Sequence, residues 1–308
     1  MTHPPDDAVR EALLRLLPGR DSAAFADVRH RPLEGGVNRR SFLVELGAAR
    51  WVLRLPMPGA AGLLDVATEA VAMRAAAAAG LAPAVVAVDA ANGSLLTEYR
   101  HGADAWTAAN AREPANVARA ARLLRALHAV DAPIPAYSAE RISRSYLSSL
   151  AGAALAAGVS PGLARFGGAR TEAWSAELLA LARDFDARHP PSALCHNDLV
   201  AANVLDEGRL LDGGGLLLVD FEYAVRGAPL LDLAGLAGMN DFTPAQRREL
   251  LEAYGDAGRA VTATLAELDR TVRMVRLMSF FWARLGAQRA ANTAPYSRLA
   301  AELGELLK

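Results

Sequence analysis

Two short polar segments, each reached from an apolar run, carry the residues best suited to chemistry. Asp198 and Asn203 lie in the first, and Asp220 follows a run of leucines in the second. We expect residues 203–205 and 217–219 to pair as a hairpin, which would bring these three side chains to one point. Two carboxylates and an amide carbonyl are hard oxygen ligands that suit Mg²⁺, and Mg²⁺ usually completes its shell with substrate phosphates. The two segments together favour metal-assisted chemistry over polar turns, although Asp and Asn are also common turn formers.

Composition excludes several other classes of protein. The chain has 308 residues, is 52% apolar and carries 33 Lys+Arg against 34 Asp+Glu, so it can bury a large core and has no basic excess for nucleic acid. Its one cysteine, Cys195, excludes an internal disulfide and a cysteine zinc cluster. No stretch approaches the roughly 18 uninterrupted apolar residues of a membrane span. We therefore expect a cytoplasmic protein that binds neither nucleic acid nor membrane.

The elements that must position these residues fall into two regions. Residues 7–17 space their apolar positions like one face of a helix, and the residues after them alternate short β-rich runs with one internal helix, which predicts an antiparallel sheet with a helix packed on it. The strands are expected at 28–34, 41–46, 50–55, 84–88 and 94–99, and the helix at 66–80, where Asp65 can cap it.

After residue 100 the pattern becomes mainly helical. Helices are expected at 114–129, 140–157, 171–188, 244–256 and 264–304, with short strands within 193–223 and an exposed glycine-rich turn at 206–215. The predicted fold class is α+β, with a small antiparallel lobe at 1–99 and a larger helical lobe at 100–308.

The polar segments resemble those of a known superfamily. The pattern HxDxxxxN at 196–203, followed by DFE at 220–222, resembles the catalytic and metal-binding loops of protein-kinase-like enzymes. The fuller strings CHNDLVAANVL and LLLVDFEYA resemble its small-molecule branch, the choline/ethanolamine kinases and aminoglycoside phosphotransferases. This resemblance implies a two-lobed kinase fold and an ATP- and Mg²⁺-dependent phosphotransferase that acts on an alcohol.

The resemblance also implies roles for individual residues. Asp198 would orient the acceptor hydroxyl and take its proton, while Asn203 and Asp220 would hold Mg²⁺ against the ATP phosphates. His196 would brace the loop through hydrogen bonds, and Asp232 would be a structural aspartate. Phosphoryl transfer depends mostly on positioning and charge neutralisation, so the site needs few reactive side chains.

ATP is expected in the small lobe. Gly35, Gly36 and Asn38 lie between two strands, where glycines would let backbone N–H groups approach the phosphates. Backbone groups near Glu98 and Tyr99 match the place of the interlobe hinge and would meet adenine.

Arg54 stands where kinases place a phosphate-binding lysine. It alternates with apolar residues in the predicted strand, and Glu69, one turn into the next helix, is placed to pair with it. An arginine keeps the positive charge and can grip phosphate oxygens bidentately. An exposed strand arginine and a surface glutamate would give the same pattern.

Fewer residues of the sequence indicate which molecule accepts the phosphate. Trp282, with Glu222 and Tyr223, fits a pocket for an ammonium group, because a cation is attracted to an aromatic face. Choline kinases usually place an acid shortly after the aspartate of the DLA motif, whereas this register gives Met239, with Asp241 just beyond as a substitute.

Choline, ethanolamine or a similar amino alcohol is the predicted acceptor, and thiamine or an aminoglycoside is the alternative. The acids of the helical lobe lie beside arginines and form no obvious cluster for a polycation. An alternative from another class is a pseudokinase that binds nucleotide without turnover. The sequence leaves the oligomeric state open.

Overall fold

The computed structural model describes residues 6–19, 22–33, 39–57, 65–156, 168–208, 215–255, 263–289 and 292–308. A five-stranded antiparallel sheet in the order β1-β2-β3-β5-β4 forms the N-terminal lobe. Its strands are β1 (Arg29–Leu33), β2 (Arg39–Leu46), β3 (Ala49–Pro56), β4 (Val85–Asp89) and β5 (Ser94–Glu98), and its helices are α1 (Asp6–Leu16) and α2 (Val66–Ala78). The predicted strands and helix of this lobe are confirmed to within two residues at each end.

The two faces of this sheet have different roles. Leu53 and Leu55 of β3 belong to a buried cluster with Leu13 of α1. Successive side chains of a strand point to opposite faces, so Arg54 lies on the other face, toward α2 and the C-terminal lobe. Asp65 begins α2 by accepting a hydrogen bond from the backbone N–H of Thr68, as expected for a cap.

The C-terminal lobe is mainly helical. Its helices are α3 (Ala108–Ala111), α4 (Pro114–Leu127), α5 (Ala139–Ala156), α6 (Ala169–Arg188), α7 (Pro229–Met239), α8 (Pro244–Gly255), α9 (Leu265–Arg289) and α10 (Ala294–Leu306). Helix α9 packs against α5, α6, α7 and α10, and α4 packs against α8. The predicted division into domains 1–99 and 100–308 would fall just after β5 and stays a prediction.

Two small sheets between these helices carry the polar segments. They are built from β6 (Asp104–Ala105), β7 (Ala193–Cys195), β8 (Val204–Asp206), β9 (Leu216–Leu218) and β10 (Val225–Gly227), in the orders β6-β8-β9 and β10-β7. Strands β8 and β9 pair antiparallel, which confirms the predicted hairpin. Residues 209–214 of the predicted glycine-rich turn lie outside the described residues.

The structure corrects one prediction about the helices and adds a helix that was not predicted. The single helix expected at 264–304 is two helices, α9 and α10, and α10 begins at Ala294 with Pro295 in its first turn. Proline lacks the N–H that an interior helix position needs, so it is tolerated at a helix start. At Gly286 a Cβ atom would overlap the ring of Tyr296, so glycine lets α10 fold back onto α9. Helix α7, which holds Asp232, was not predicted as a helix.

Candidate active site

The hairpin of β8 and β9 brings the two polar segments together. Asn203 directly precedes β8, and Asp220 follows β9 after one intervening residue. The backbone N–H of Val219 donates to the carbonyl oxygen of Asn203 at 3.0 Å, which ties the two segments to each other. Asn203 and Asp220 line one cavity of about 490 Å³. Asp220 has a positive φ of 68°, a backbone conformation that aspartate adopts more readily than most residues.

Asp198 lines the same cavity and contacts Asn203 directly. The Asn203 Nδ2 atom donates to the backbone oxygen of Asp198 at 2.8 Å and to its Oδ2 at 3.0 Å. Burial, followed by the nearby carboxylates of Asp220 and Glu222, raises the pKa of Asp198 to about 7. A carboxylate with a pKa near neutrality is well matched to accepting a proton from an alcohol at physiological pH.

Both ring nitrogens of His196 form hydrogen bonds with the backbone, one to each of the two polar segments, so the ring holds these segments together. Its Nε2 lies 2.9 Å from the carbonyl oxygen of Val219, and its Nδ1 accepts from the N–H of Asp198 at 3.3 Å. Such a ring donates through Nε2 and accepts through Nδ1, which is the neutral form. Burial lowers the pKa of His196, in agreement with this assignment. Its position fits the predicted bracing role.

Asp232 fixes the backbone just before Asp198. Its two oxygens accept hydrogen bonds, each at 2.8 Å, from the N–H groups of His196 and Asn197. The ring of His128 lies 3.2 Å from Asp232 through Nε2 and 2.7 Å from the hydroxyl of Tyr254 through Nδ1. Asp232 is fully buried, so these bonds hold the loop in one conformation.

His128, Cys195 and Asp232 lie close enough together to resemble a metal site. Their atoms already have other partners, because the Cys195 thiol contacts the carbonyl oxygen of Ala228 at 3.4 Å. Burial raises the pKa of Cys195 well above its usual value, and a protonated thiol is a poor metal ligand. This cluster is part of the packing beneath the segment that carries Asp198.

Arg54 links the two lobes at the cavity. Its Nη1 lies 3.0 Å from Glu69 Oε1, and its Nη2 forms an ion pair with Asp220. Burial alone would lower the pKa of Arg54, but the charges of Asp220 and Glu69 keep it above its ordinary value. The guanidinium is therefore a permanent positive charge beside Asp220, and the predicted pairing with Glu69 is present.

A second buried arginine, Arg39, was not predicted from the sequence as a site residue. Arg39, the first residue of β2, forms ion pairs with Glu69 at 2.5 Å and with Glu222 at 3.6 Å. Strand alternation places Arg39 on the same face as Ser41, which pairs with Arg54 in the sheet, so both arginines face the cavity. This alternation was the signal in the sequence that would have found Arg39.

The other end of the cavity is mostly apolar and aromatic. The ring of Trp282 lies 6.3 Å from that of Tyr223 and 5.4 Å from that of Tyr296. Tyr137 and Tyr146 also line the cavity but were not singled out in the sequence. They come from helix α5 and the segment before it, so no short-range pattern connects them to the polar loops.

The remaining predicted site residues lie elsewhere. Asp241 is not among the described residues that line the cavity; its carboxylate pairs with Arg276 at 2.9 Å, and half of its side chain is exposed. We therefore drop Asp241 from the substrate-binding residues. The N–H groups of Glu98 and Tyr99 donate to backbone oxygens within the sheet, so the predicted adenine contacts do not involve these two donors. Gly35, Gly36 and Asn38 lie outside the described residues.

The residues present fit a divalent cation. Both amide hydrogen bonds of Asn203 go to Asp198, which leaves its Oδ1 as an oxygen ligand beside Asp220. Four carboxylates, of Asp198, Asp220, Glu222 and Glu69, stand against the two guanidinium groups of Arg39 and Arg54. When all four carboxylates are ionised, a cation of charge two bound at Asp220 would balance this excess.

The fold and this arrangement of polar loops define a class of enzymes, the small-molecule kinases with a protein-kinase-like fold. A choline/ethanolamine kinase family protein from Mesorhizobium loti has 28% identity and a TM-score of 0.71, over 98% of this chain and 94% of that chain. The choline kinase LicA of Streptococcus pneumoniae has 16% identity and a TM-score of 0.76, over 98% of each chain. Spectinomycin phosphotransferase in complex with ADP and spectinomycin has 12% identity and a TM-score of 0.65, over 100% of this chain and 96% of that chain.

The sequence profile of the phosphotransferase enzyme family, APH, matches residues 29–268. The chain belongs to this family, which confirms the predicted fold class and shows that the protein is a phosphotransferase. A search of curated proteins finds no match. In the described part of the chain, no helix is long and apolar enough to cross a membrane.

Proposed function

We propose that the protein transfers the γ-phosphate of ATP to a hydroxyl group of a small molecule in a Mg²⁺-dependent reaction. One observation carries the proposal: Asp198, Asn203 and Asp220 line one cavity together with Arg54. This arrangement offers a proton acceptor, oxygen ligands for a metal and a permanent cation for phosphate oxygens. Phosphoryl transfer requires these three kinds of functional group.

Asp198 acts on the acceptor. Its carboxylate orients the hydroxyl and takes its proton as the oxygen attacks the γ-phosphorus, with ADP as the leaving group. Because the pKa of Asp198 is about 7, a large share of the side chain is ionised at neutral pH. Asn203 fixes the orientation of this carboxylate through the bond to Oδ2.

Asp220 and the Oδ1 of Asn203 would hold the magnesium ion. When bound, Mg²⁺ neutralises negative charge on the phosphate oxygens as the bond to the leaving group breaks. Arg54 stands beside Asp220 and is positioned to bind a neighbouring phosphate oxygen, and Glu69 fixes its direction. Gly35, Gly36 and Asn38 are proposed to cover the phosphates, and the segment of Glu98 and Tyr99 to border adenine.

The acceptor is proposed to be choline, ethanolamine or a similar amino alcohol. Tyr223 and Trp282 present aromatic rings at the acceptor end of the cavity, where a single ammonium group would be attracted to their faces. Glu222 also lines the cavity, with its carboxylate 3.6 Å from Arg39, and Met239 lines the cavity where choline kinases usually carry an acid. The similarity to a choline/ethanolamine kinase family protein, at 28% identity over 98% of this chain, supports this class of acceptor.

An aminoglycoside acceptor is disfavoured by the placement of the helical acids. Glu140 pairs with Arg144 at 2.7 Å, and Glu177 pairs with Arg273 at 2.8 Å. Neither acid is among the described residues that line the cavity. A polycation needs several carboxylates around its amino groups, whereas both of these acids pair with arginines, Glu140 within its own helix and Glu177 between helices.

The proposal is tested by measuring ATP consumption with choline, ethanolamine, thiamine, sugars and aminoglycosides, each with Mg²⁺ and with EDTA. We expect consumption that depends on both Mg²⁺ and an amino alcohol. Stimulation by thiamine or an aminoglycoside instead would keep the kinase and change its acceptor. Nucleotide binding without stimulation by any acceptor would favour the pseudokinase.

A further inference from the structure

Two buried arginines on neighbouring strands share one carboxylate. In the register of β2 and β3, Ser41 pairs with Arg54, so Arg39 and Arg54 are diagonal neighbours on one face of the sheet. Glu69 lies between them, with Oε2 at 2.5 Å from Arg39 Nη2 and Oε1 at 3.0 Å from Arg54 Nη1. The two guanidinium groups are therefore held side by side.

Arg39 keeps donors that the described residues do not satisfy. It is 3% exposed, and its Nε and Nη1 atoms are buried without a hydrogen-bond partner among those residues. The Glu222 carboxylate lies 3.6 Å from Nε, too far for a hydrogen bond. Buried donors on a charged group are costly unless they are satisfied. Arg39 also lines the cavity, so a ligand in the cavity can supply the missing acceptors.

We infer that Arg39 is a second phosphate-binding cation, which grips an oxygen of the ATP phosphates beside Arg54. The guanidinium is planar and carries several donors in a fork, a geometry that matches phosphate oxygens. In the sequence, Arg39 directly follows Asn38, one of the residues proposed to cover the phosphates. This inference rests on the proposed function, and it assigns a contact that the proposed reaction does not itself require.

The unsatisfied N–H groups of Arg39 suit a phosphate better than they suit the acceptor. The N–H groups of Arg39 need anionic or strongly polar oxygens, and the ammonium group of an amino alcohol would be repelled by them. The triphosphate of ATP is the anionic group of the reaction. The aromatic rings of Tyr223 and Trp282, whose centroids are 6.3 Å apart, suit the ammonium group of the acceptor instead.

The test compares nucleotides with and without phosphates. Calorimetry in the presence of Mg²⁺ measures the affinity of ATP, ADP and adenosine for the wild-type protein, Arg39→Met and Arg39→Lys. We expect Arg39→Met to weaken ATP binding roughly 10- to 100-fold and adenosine binding less than about 2-fold, because a hydrogen bond to a charged group is lost. Arg39→Lys keeps the positive charge but not the planar arrangement of donors, so we expect an intermediate loss of ATP affinity. This variant is the one to measure if Arg39→Met does not fold.

Two further variants separate a direct contact from an effect on neighbours. Arg50→Met removes an exposed arginine of the same sheet that pairs with Glu45, and it should leave all three affinities unchanged. Arg39→Met in an Arg54→Met background should still lower the affinity for ATP relative to adenosine.

An equal loss for ATP and adenosine, or a loss that disappears in the Arg54→Met background, would assign Arg39 a purely structural role and overturn the inference. A wild-type protein that binds no ATP would overturn the proposed function itself, and this inference with it.

Discussion

Arg54 of the N-terminal lobe forms an ion pair with Asp220 of the C-terminal lobe, across the cavity that holds the candidate catalytic residues. The same guanidinium also contacts Glu69 of α2. The positive charge of Arg54 therefore lies beside the carboxylate of Asp220, which is proposed to bind magnesium. Asp220 can serve both cations because a carboxylate has two oxygens, each with more than one lone pair.

Asp220→Ala is expected to abolish the Mg²⁺-dependent part of ATP binding. Removing the carboxylate removes a ligand of the metal and one partner of Arg54, so nucleotide affinity should become the same in Mg²⁺ and in EDTA. Calorimetry with ATP under both conditions measures this. Asp104→Ala, which removes an exposed acid outside the described lining of the cavity, is the control and should retain the Mg²⁺ effect. Unchanged Mg·ATP affinity in Asp220→Ala would contradict the assignment.

Asp198→Asn is expected to lower turnover by at least about 100-fold while ATP affinity changes little. The amide has nearly the same shape and keeps an oxygen that can accept from Asn203 Nδ2, but it cannot take a proton from the acceptor. Steady-state kinetics gives the turnover, and calorimetry gives the affinity for ATP. Normal turnover in this variant would remove Asp198 from its proposed role.

Local patterns were sufficient to predict the centre of the site. The alternation of apolar residues around Arg54 placed it on the face opposite Leu53 and Leu55, and the structure has it there. The apolar runs before Asn203 and Asp220 predicted a hairpin, and β8 and β9 form it. In each case the signal comes from short runs of neighbouring residues with a strand-like pattern.

Contacts between distant segments could not be predicted in the same way. Arg39 and Glu222 meet because β2 and the turn after β9 face each other across the lobes, and neither segment encodes that approach locally. Asp241 follows α7 in the sequence at a plausible distance from the site, but Arg276 of α9 draws its carboxylate away from the cavity. Its positive φ of 54° shows that the chain turns at this residue.

Asp232→Asn is expected to destabilise the protein by about 1–3 kcal/mol, because the amide can replace only one of the two oxygens that accept buried backbone N–H groups. Asp241→Asn breaks an exposed ion pair and should cost less than about 1 kcal/mol. Urea unfolding gives the free energy of unfolding for both variants. Equal costs would mean that Asp232 does not hold the backbone before Asp198 in place.

Trp282→Ala is expected to raise the KM for an amino-alcohol acceptor roughly 5- to 30-fold, which corresponds to the loss of about 1–2 kcal/mol from a desolvated cation–aromatic contact. The KM for ATP should stay within about 2-fold, because Trp282 packs against Tyr223 and Tyr296 and not against the arginines. Trp282→Phe keeps an aromatic face and should recover most of the loss. A matching rise in the KM for ATP would indicate a general disturbance of the cavity.

Asp206 makes the free energy of unfolding depend on pH between about 4 and about 2. Its carboxylate accepts from Arg119 at 2.6 Å and 2.7 Å and from the indole N–H of Trp106 at 3.0 Å. The hydrogen bond from Arg119 is the main reason that the pKa of Asp206 falls to about 2. A carboxyl with a lowered pKa in the folded state stabilises the protein above its unfolded value near 4, and this contribution disappears as the pH falls toward 2.

Comparing the wild-type protein with Asp206→Asn isolates that contribution. The difference in the free energy of unfolding should be about 2 kcal/mol at pH 7 and should shrink steadily between pH 4 and pH 2, because the wild-type carboxyl becomes neutral like the amide. Urea unfolding at several pH values measures it. Asp104→Asn changes the exposed acid that faces Asp206 on the neighbouring strand, and its difference should stay small at every pH. A difference for Asp206→Asn that remains constant down to pH 2.5 would show that the ion pair with Arg119 does not stabilise the fold through the charge of Asp206.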